Sequence, residues 1–331
     1  MSHQEFRFKP TASLATLRQR SHLLGDIRRF FEDREFLHVE TPLLSRDTVV
    51  DRYIDPVTVD GSRVCQGDGS DKAFFLQTSP EFAMKRLLAS GATSIYQICK
   101  AFRKGEAGRR HNPEFTMLEW YRVGDDMNAG IELLREFASH MFQTDQVKTI
   151  SYSDAFVKFA GVHPLLATIE EFQSVCESNR VDVQSFSGEQ DRDEWLNLIM
   201  SEIVEPKLGT PNPVVVFHFP ASQSALAKVG TTVDGHEVAE RFELYVNGVE
   251  LANGYHELLD AGELENRNAK VNSQRSANGR DPLPLQSELL EAMRHGLPAC
   301  SGVALGIDRL MMVLLEKDSI GEVIAFPVDR A

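Results

Sequence analysis

The sequence predicts an α+β fold built around an antiparallel β-sheet. Strand-like and helix-like segments of the 331 residues are grouped and do not alternate as β-α-β units, which argues against a doubly wound parallel sheet. Asn247-Gly248 separates two strand-like runs, 241–246 and 249–250, and this dipeptide is the strongest short-range signal for a hairpin. No internal repeat or change in composition marks a linker, so we expect a single catalytic domain over residues 1–331.

Composition and charge exclude several classes of protein. Apolar residues make up 42% of the chain and charged residues 25%, as in ordinary globular proteins. The formal net charge of −14 argues against broad contact with nucleic-acid phosphates. The N-terminal segment lacks an apolar signal region and no apolar run could span a membrane, so we expect a soluble, cytoplasmic protein. The 4 cysteines are far apart, which argues against a zinc site or a disulfide framework.

The elements of the N-terminal part follow from periodicity. Apolar residues recur at helical spacing between Leu17 and Phe31 and predict an amphipathic helix. The alternating run 36–40 predicts a strand that stops at Pro42. Residues 60–72 are dense in Gly, Ser and Asp and predict an exposed loop, which we expect to be the most mobile segment. Further strands are predicted at 74–78, 94–102 and 114–122, and a helix at 80–90.

The remaining elements are groups of helical and of strand-like stretches. Residues 125–210 are predicted to be mostly helical with loops, and 214–219 to form a strand. Beyond the hairpin we expect helices at about 261–277 and 286–295, and a strand at 301–306 that leads into a helix from Ile307.

Strand 114–122 carries an unusual carboxylate. A period of two places Phe115, Met117, Glu119 and Tyr121 on one face, so that Glu119 lies among aromatic side chains. The alternative is an edge strand on which Glu119 is solvated.

The loop before this strand is a candidate anion site. Arg103 and His111 bracket the segment KGEAGRR. The planar guanidinium suits phosphate oxygens and the imidazole could add a donor, so the loop could fold over an anionic group. The alternative is a surface loop of solvated charges.

The hairpin brings two carboxylates together. A two-residue turn pairs Tyr245 with Glu250 and places Glu250 diagonal to Glu243 on the same face, where the charges repel unless a cation such as Mg²⁺ lies between them. A solvated acidic pair is the alternative. Strict alternation would send Asn253, Tyr255 and Glu257 to the opposite face from Glu250, so a shared pocket requires a bulge, which Gly254 would tolerate. A second turn at Asn253-Gly254 competes with this interpretation.

Two further segments are weaker candidates. Ser79 is predicted to cap the helix that Pro80 begins, and the helix dipole alone would then explain Glu81 in the first turn. Gly302 and Gly306 flank a strand-to-helix turn, where the missing side chains would admit a flat ligand.

Taken together, these segments resemble the catalytic domain of a class II aminoacyl-tRNA synthetase of the lysyl type. FLHVETPLL (36–44) resembles motif 1, Phe102-Arg103 through HNPEFTMLEWY resembles motif 2, and ALGIDRL (304–310) resembles motif 3. The segments FELYVNGVELANGYHEL (242–258) and TSPE (78–81) are similar to lysyl-type sequences. Motif 1 begins at residue 36, so we expect no anticodon-binding domain. The resemblance is closest to truncated lysyl-tRNA synthetase paralogues that modify elongation factor P.

The resemblance implies a reaction and a set of residues. With ATP and Mg²⁺, (R)-β-lysine or lysine would be activated as an adenylate and transferred to a lysine of elongation factor P. The implied catalytic residues are Arg103, His111 and Arg309. The implied contacts to ATP are Arg103, Lys104, Gly105, Asn112, Phe115, Glu250, Leu251, Gly306 and Arg309. The implied amino-acid pocket comprises Ser79, Pro80, Glu81, Glu119, Tyr121, Asn253, Tyr255, Glu257 and Ala304, and the implied metal ligands are Glu243 and Glu250.

The resemblance also implies partners, and the sequence departs from the family pattern at two positions. Motif 1 implies a homodimer, and tRNA is not expected as a partner. The acid of motif 2 is shifted by one residue to Glu106, and Ala304 replaces a glycine of lysyl-tRNA synthetases, which we expect to favour a β-amino substrate. Rival hypotheses are transfer to tRNA or to a small molecule, and an inactive regulatory paralogue. Retention of Arg103, Arg309 and both hairpin carboxylates argues against inactivity.

Overall fold

The structure is a computed structural model that describes residues 8–65, 72–183, 186 and 191–331. The chain divides into two compact units. Unit 1 comprises Met1–Val123, Leu259–Pro298 and Ala304–Ala331, and unit 2 comprises Gly124–Leu258 and Ala299–Val303. The expectation of one catalytic domain stays a prediction. Residues 66–71, on which the predicted mobile loop partly falls, lie outside the described residues.

Unit 1 contains five helices and two sets of paired strands in its described part. The helices are α1 (Leu14–Glu32), α2 (Glu81–Ala89), α7 (Ala261–Ala277), α8 (Glu288–Gly296) and α9 (Ile307–Leu314). The strands are β1 (Leu37–His38), β2 (Leu44–Ser45), β3 (Val57–Val59), β4 (Phe74–Leu76), β5 (Ser94–Phe102) and β6 (Glu114–Val123). β1 is parallel to β5, β5 is antiparallel to β6, and β2, β4 and β3 form a separate antiparallel sheet.

Helix α1 confirms the first predicted element and buries its apolar stripe. Ser13 caps it by accepting the N–H of Thr16. Phe31 is fully buried and stacks on Tyr96 of β5 with ring centroids 4.8 Å apart. The predicted strand at 36–40 is shorter than expected, because only Leu37–His38 pairs with β5.

Unit 2 combines strands and helices around its own core. Its helices are α3 (Met127–Phe142), α4 (Tyr152–Ala160), α5 (Ile169–Ser178) and α6 (Arg192–Ile199). Its strands are β7 (Lys148–Ser151), β8 (Val214–Pro220), β9 (Val229–Thr231), β10 (Glu237–Val246) and β11 (Val249–His256). β7 is parallel to β8, whereas the β8–β10, β9–β10 and β10–β11 pairs are antiparallel. β12 (Cys300–Gly306) begins in unit 2 and ends in unit 1.

The α+β prediction is therefore confirmed. Most strand pairs are antiparallel, and helices pack on the strands of each unit: α2 and α9 on β6 in unit 1, and α3 on β10 and β11 in unit 2. In the described part of the chain, no helix is long and apolar enough to cross a membrane.

Candidate active site

Glu119 lies in the middle of β6 and has no exposed surface. The hydroxyl of Ser79 donates to its Oε1 at 2.5 Å, and the hydroxyl of Tyr121 donates to its Oε2 at 2.8 Å. Burial raises the pKa of this carboxyl to about 8, the Glu81 charge adds to the rise, and the two hydrogen bonds and Lys85 oppose it. The alternative of a solvated glutamate on an edge strand is therefore wrong.

A second carboxylate lies beside it at the start of α2. Glu81 is 8% exposed, and its Oε1 is 2.5 Å from Nζ of Lys85, which is 2% exposed. The predicted cap is shifted by one residue, since Pro80 occupies the N-cap position and its carbonyl accepts the first helical N–H groups. Ser79 still accepts the N–H of Glu81 at 3.1 Å, so its hydroxyl serves both the helix and Glu119.

The predicted anion loop between β5 and β6 is held by its backbone. Arg103 N–H donates to Pro113 O at 2.9 Å and Lys104 N–H to Asp55 O at 2.8 Å. Gly105 has a φ of +82°, a left-handed conformation that favours glycine. The Arg103 guanidinium lies 5.1 Å from the ring centroid of Phe115, so the implied phosphate and adenine contacts are neighbours.

Two of the implied phosphate contacts also meet. Nη2 of Arg309 is 2.6 Å from Nε2 of His111, and both side chains reach solvent.

The side chain of Asn112 makes contacts that its implied role at the edge of adenine does not predict. Its amide donates to Glu114 O at 2.6 Å and accepts Val328 N–H at 2.9 Å, and only 6% of it is exposed. Its contact to ATP stays a prediction.

An ion pair between α1 and α9 lies beside residues that the resemblance assigns to ATP, and the sequence did not predict it. Nη1 of Arg20 lies 2.6 Å from Oδ1 of Asp308, and Nη2 donates to the hydroxyl of Thr116 at 2.8 Å. The other Asp308 oxygen accepts the N–H of Thr116 at 2.8 Å. This network joins α1, β6 and α9, and therefore fixes the residues adjacent to Phe115 and Arg309.

The carboxylates of the hairpin lie in unit 2. Glu243 is 3% exposed, and its Oε1 accepts Nε of Arg241 at 3.0 Å while its Oε2 accepts the hydroxyl of Tyr245. Burial raises the pKa of Glu243, the Arg241 charge opposes the rise, and the charge of Glu250 adds to it. The solvated acidic pair is therefore wrong for Glu243. Among the described residues, no group of three or more His, Cys, Asp or Glu side chains could hold a metal by itself.

The bulge that the hairpin requires is present, but not at Gly254. Glu243 pairs with Asn253 and Leu244 with Ala252, whereas Tyr245 pairs with Glu250, so Leu251 is the extra residue. Because of this extra residue, Asn253 and Tyr255 lie on the same face of the strand as Glu250. The competing turn at Asn253-Gly254 is wrong, because β11 continues to His256.

The end of β11 carries the other implied pocket residues. Glu257 is 1% exposed, and its N–H donates to Cys300 O at 3.0 Å. Among the described residues, the buried Oδ1 of Asn253 has no hydrogen-bond partner, and an unsatisfied buried acceptor is a ready partner for a ligand donor. Tyr255 and, at the end of β12, Ala304 and Gly306 are partly buried.

Comparison with known proteins decides the family. The family described as tRNA synthetases class II (D, K and N) matches residues 5–330. This chain belongs to that class II synthetase family. Two relatives are each named "Elongation factor P--(R)-beta-lysine ligase". The one from Edwardsiella ictaluri (strain 93-146) is 45% identical over 98% of both chains. The one from Yersinia enterocolitica serotype O:8 / biotype 1B (strain NCTC 13174 / 8081) is 43% identical over 98% of both chains.

Membership of the class II synthetases implies use of ATP and agrees with the motif resemblance. Within unit 1 the structure brings together Ser79, Glu81, Glu119 and Tyr121, and separately Arg103 with Phe115 and His111 with Arg309. Two residues of the site that the sequence did not predict could have been found from their spacing to a glutamate. Lys85 lies four residues after Glu81 in a helix, and Arg241 alternates with Glu243 along a strand.

Proposed function

We propose that this chain activates (R)-β-lysine, or lysine, with ATP and transfers it to the ε-amine of a lysine of elongation factor P. The near full-length similarity to two ligases of that name carries the proposal. The buried carboxylates of unit 1 support it, because a desolvated anionic pocket suits an amino acid that has an extra ammonium group.

In the first step, a carboxylate oxygen of the amino acid attacks the α-phosphorus of ATP. A new P–O bond forms, the bond to the bridging oxygen breaks, and pyrophosphate leaves. Arg103 would bind the α-phosphate and Phe115 would stack on adenine, with Lys104, Gly105 and Asn112 along the same loop. His111 and Arg309 would bind the outer phosphates. Catalysis here consists of positioning and charge neutralisation.

In the second step, the ε-amine of the acceptor attacks the carbonyl carbon of the adenylate. An amide C–N bond forms, the bond to the phosphate oxygen breaks, AMP leaves, and the amine loses a proton. Ser79, Pro80, Glu81, Glu119 and Tyr121 would hold one end of the amino acid. The resemblance assigns Asn253, Tyr255, Glu257 and Ala304 to the same substrate, and Leu251 and Gly306 to ATP.

Glu243 and Glu250 fit a divalent cation. Their charges repel, and burial further disfavours the ionised form of Glu243, so a cation that keeps several waters would stabilise both carboxylates. We propose that they hold Mg²⁺, which when bound neutralises phosphate charge. Arg241 and the hydroxyl of Tyr245 would keep the Glu243 carboxylate in place.

The test is the intact mass of elongation factor P after incubation with this protein, ATP, Mg²⁺ and either isomer of lysine, with bulk tRNA as a parallel acceptor. We expect the factor to gain one lysyl mass, more with the β-isomer. Arg103→Ala should abolish the gain, whereas Arg29→Ala should not, because Arg29 lies on the exposed side of α1 with a 65% exposed side chain. A gain on tRNA alone would make tRNA the acceptor, and no gain with no pyrophosphate exchange would overturn the proposal.

We also propose that the chain forms a homodimer through the motif 1 region of unit 1. Leu37 is 61% exposed and Leu43 is 40% exposed, and a second copy would remove these apolar side chains from water.

A further inference from the structure

A buried lysine lies next to the proposed amine pocket, and the motif resemblance gives it no role. Lys85 is one turn along α2 from Glu81 and is 2% exposed. Exposed ion pairs of this spacing stabilise a helix only slightly, while burying an ammonium group is costly even when it is paired. Stability of the helix therefore does not explain the position of this lysine.

The charges around Lys85 belong to one small cluster. Its Nζ lies 2.5 Å from Oε1 of Glu81, and its charge also acts on Glu119, against the effect of Glu81. Both Glu119 oxygens accept hydroxyl hydrogen bonds, from Ser79 and Tyr121. With both carboxyls ionised and Lys85 charged, the cluster would hold one net negative charge. Because burial and the Glu81 charge raise the pKa of Glu119, this state needs a further cation in the pocket, such as a substrate ammonium.

The geometry also offers an acceptor that a ligand could use. Lys85 fixes Oε1 of Glu81, and Oε2 is the second acceptor of the same carboxylate. A buried carboxylate held on one side by a fixed cation presents its other oxygen in a defined direction, so a substrate ammonium could bind without reorganising the pocket.

We propose that Lys85 is a positioning residue that fixes Glu81 and sets the net charge of the pocket to match a single substrate ammonium. This inference rests on the proposed function. Lys85 itself does not touch the substrate. Without it, Glu81 and Glu119 would be adjacent carboxylates that cannot both stay ionised without cost, and Glu81 would lose its fixed orientation.

The primary test is Lys85→Met in an amino-acid-dependent pyrophosphate exchange assay. Methionine has a similar length and removes only the charge and the donor. We expect the KM for lysine or (R)-β-lysine to rise about tenfold or more, as for loss of a charged hydrogen bond, with kcat and the KM for ATP within about twofold of wild type. Lys85→Gln, which keeps a donor without the charge, should give the same rise and serves if Lys85→Met does not fold.

The matched control is Arg86→Met, the next residue of α2. Arg86 has the same charge, but it is exposed, so all three kinetic constants should stay unchanged. Thermal unfolding of each variant checks that the fold is retained.

A double variant tests whether Lys85 acts through Glu81. We expect Lys85→Met to have less than about a twofold effect in a Glu81→Gln background, since coupled residues are not additive. Independent, additive effects, an unchanged amino-acid KM, or an equal rise in the KM for ATP would overturn the inference alone. A wild-type protein without any exchange would overturn the proposed function, and the inference with it.

Discussion

Glu119 shows how a single buried group makes stability depend on pH. Burial raises its pKa from 4.5 to about 8, so between these pH values the folded chain keeps a proton that the unfolded chain has released. Stability therefore falls as the pH rises through this window, and the loss is complete above the folded pKa.

Replacing Glu119 tests this linkage. Glu119→Gln keeps the shape of the side chain without the titration, so we expect it to gain stability relative to wild type between pH 6 and pH 9, by about a few kcal/mol at most. Denaturant unfolding of both proteins at the two pH values measures the difference. A stability difference that is the same at both pH values would contradict the raised pKa.

At the scale of single residues, local pattern predicted which face a side chain occupies but not what surrounds it. Alternation placed Glu119 correctly with Tyr121, yet its burial depends on α2, which approaches from elsewhere in the chain. The Arg20–Asp308 pair joins residues at opposite ends of the sequence, so no local signal could reveal it. For Asn112, the motif suggests adenine while the structure shows two backbone partners.

At the scale of elements, β11 shows why glycine is needed without a turn. A Cβ on Gly254 would lie 2.5 Å from Cε2 of Phe242 and 2.8 Å from Cγ2 of Val303, both of which are buried. We expect Gly254→Ala to lower the stability by about 1–3 kcal/mol, because the ring must move in a packed core. Thermal unfolding measures the loss.

The control for this substitution lies in α1. A Cβ on Gly25 would meet only the flexible end of Arg29, at 3.5 Å, and alanine is favoured over glycine inside a helix by about 0.5–1 kcal/mol. Gly25→Ala should therefore stabilise the protein slightly. Equal unfolding temperatures for Gly254→Ala and wild type would show that the close approach at Gly254 is not real.

The elements themselves were largely predictable, since long periodic runs such as α1 and the β10–β11 hairpin appear where the sequence indicates. The differences are of one or two residues. The α2 cap moved because Pro80, not Ser79, supplies the first helical carbonyl. The bulge was expected at Gly254 but lies at Leu251. The expectation failed because a glycine in a strand can mark a close approach of neighbouring side chains as readily as a bulge.

At the scale of the whole molecule, the clearest prediction concerns association. In unit 1, a cavity of about 520 Å³ is lined by residues of α1, β5 and the segment after β1, among them Leu24, Thr41 and Leu43. Together with exposed Leu37, this partly apolar surface is consistent with coverage by a second copy.

Light scattering tests the association. We expect a mass of twice the 37.1 kDa of one chain at micromolar concentration, and a shift towards one chain for Leu37→Lys, which would place a charge in the interface. Val157→Lys is the control, because Val157 is also an exposed apolar side chain (51%) but lies on α4. A wild-type mass near 37.1 kDa would contradict the dimer.

The extra residue at Leu251 makes β11 sensitive to chain length as well as to residue type. Side chains of β11 alternate between its two faces on either side of the bulge, and the extra residue shifts this alternation by one position. Deleting Leu251 or Ala252 would remove the bulge, but Asn253 would then lie two positions after Glu250, so strict alternation would keep Tyr255 and Glu257 on the same face as Glu250. Deleting Gly254 instead would rotate Tyr255 and Glu257 to the other face. A frame-preserving loss of the Gly254 codon would thus exchange the inside and outside at the end of the strand, although every side chain assigned to the pocket would still be encoded, whereas the same loss at the bulge would leave both faces as they are.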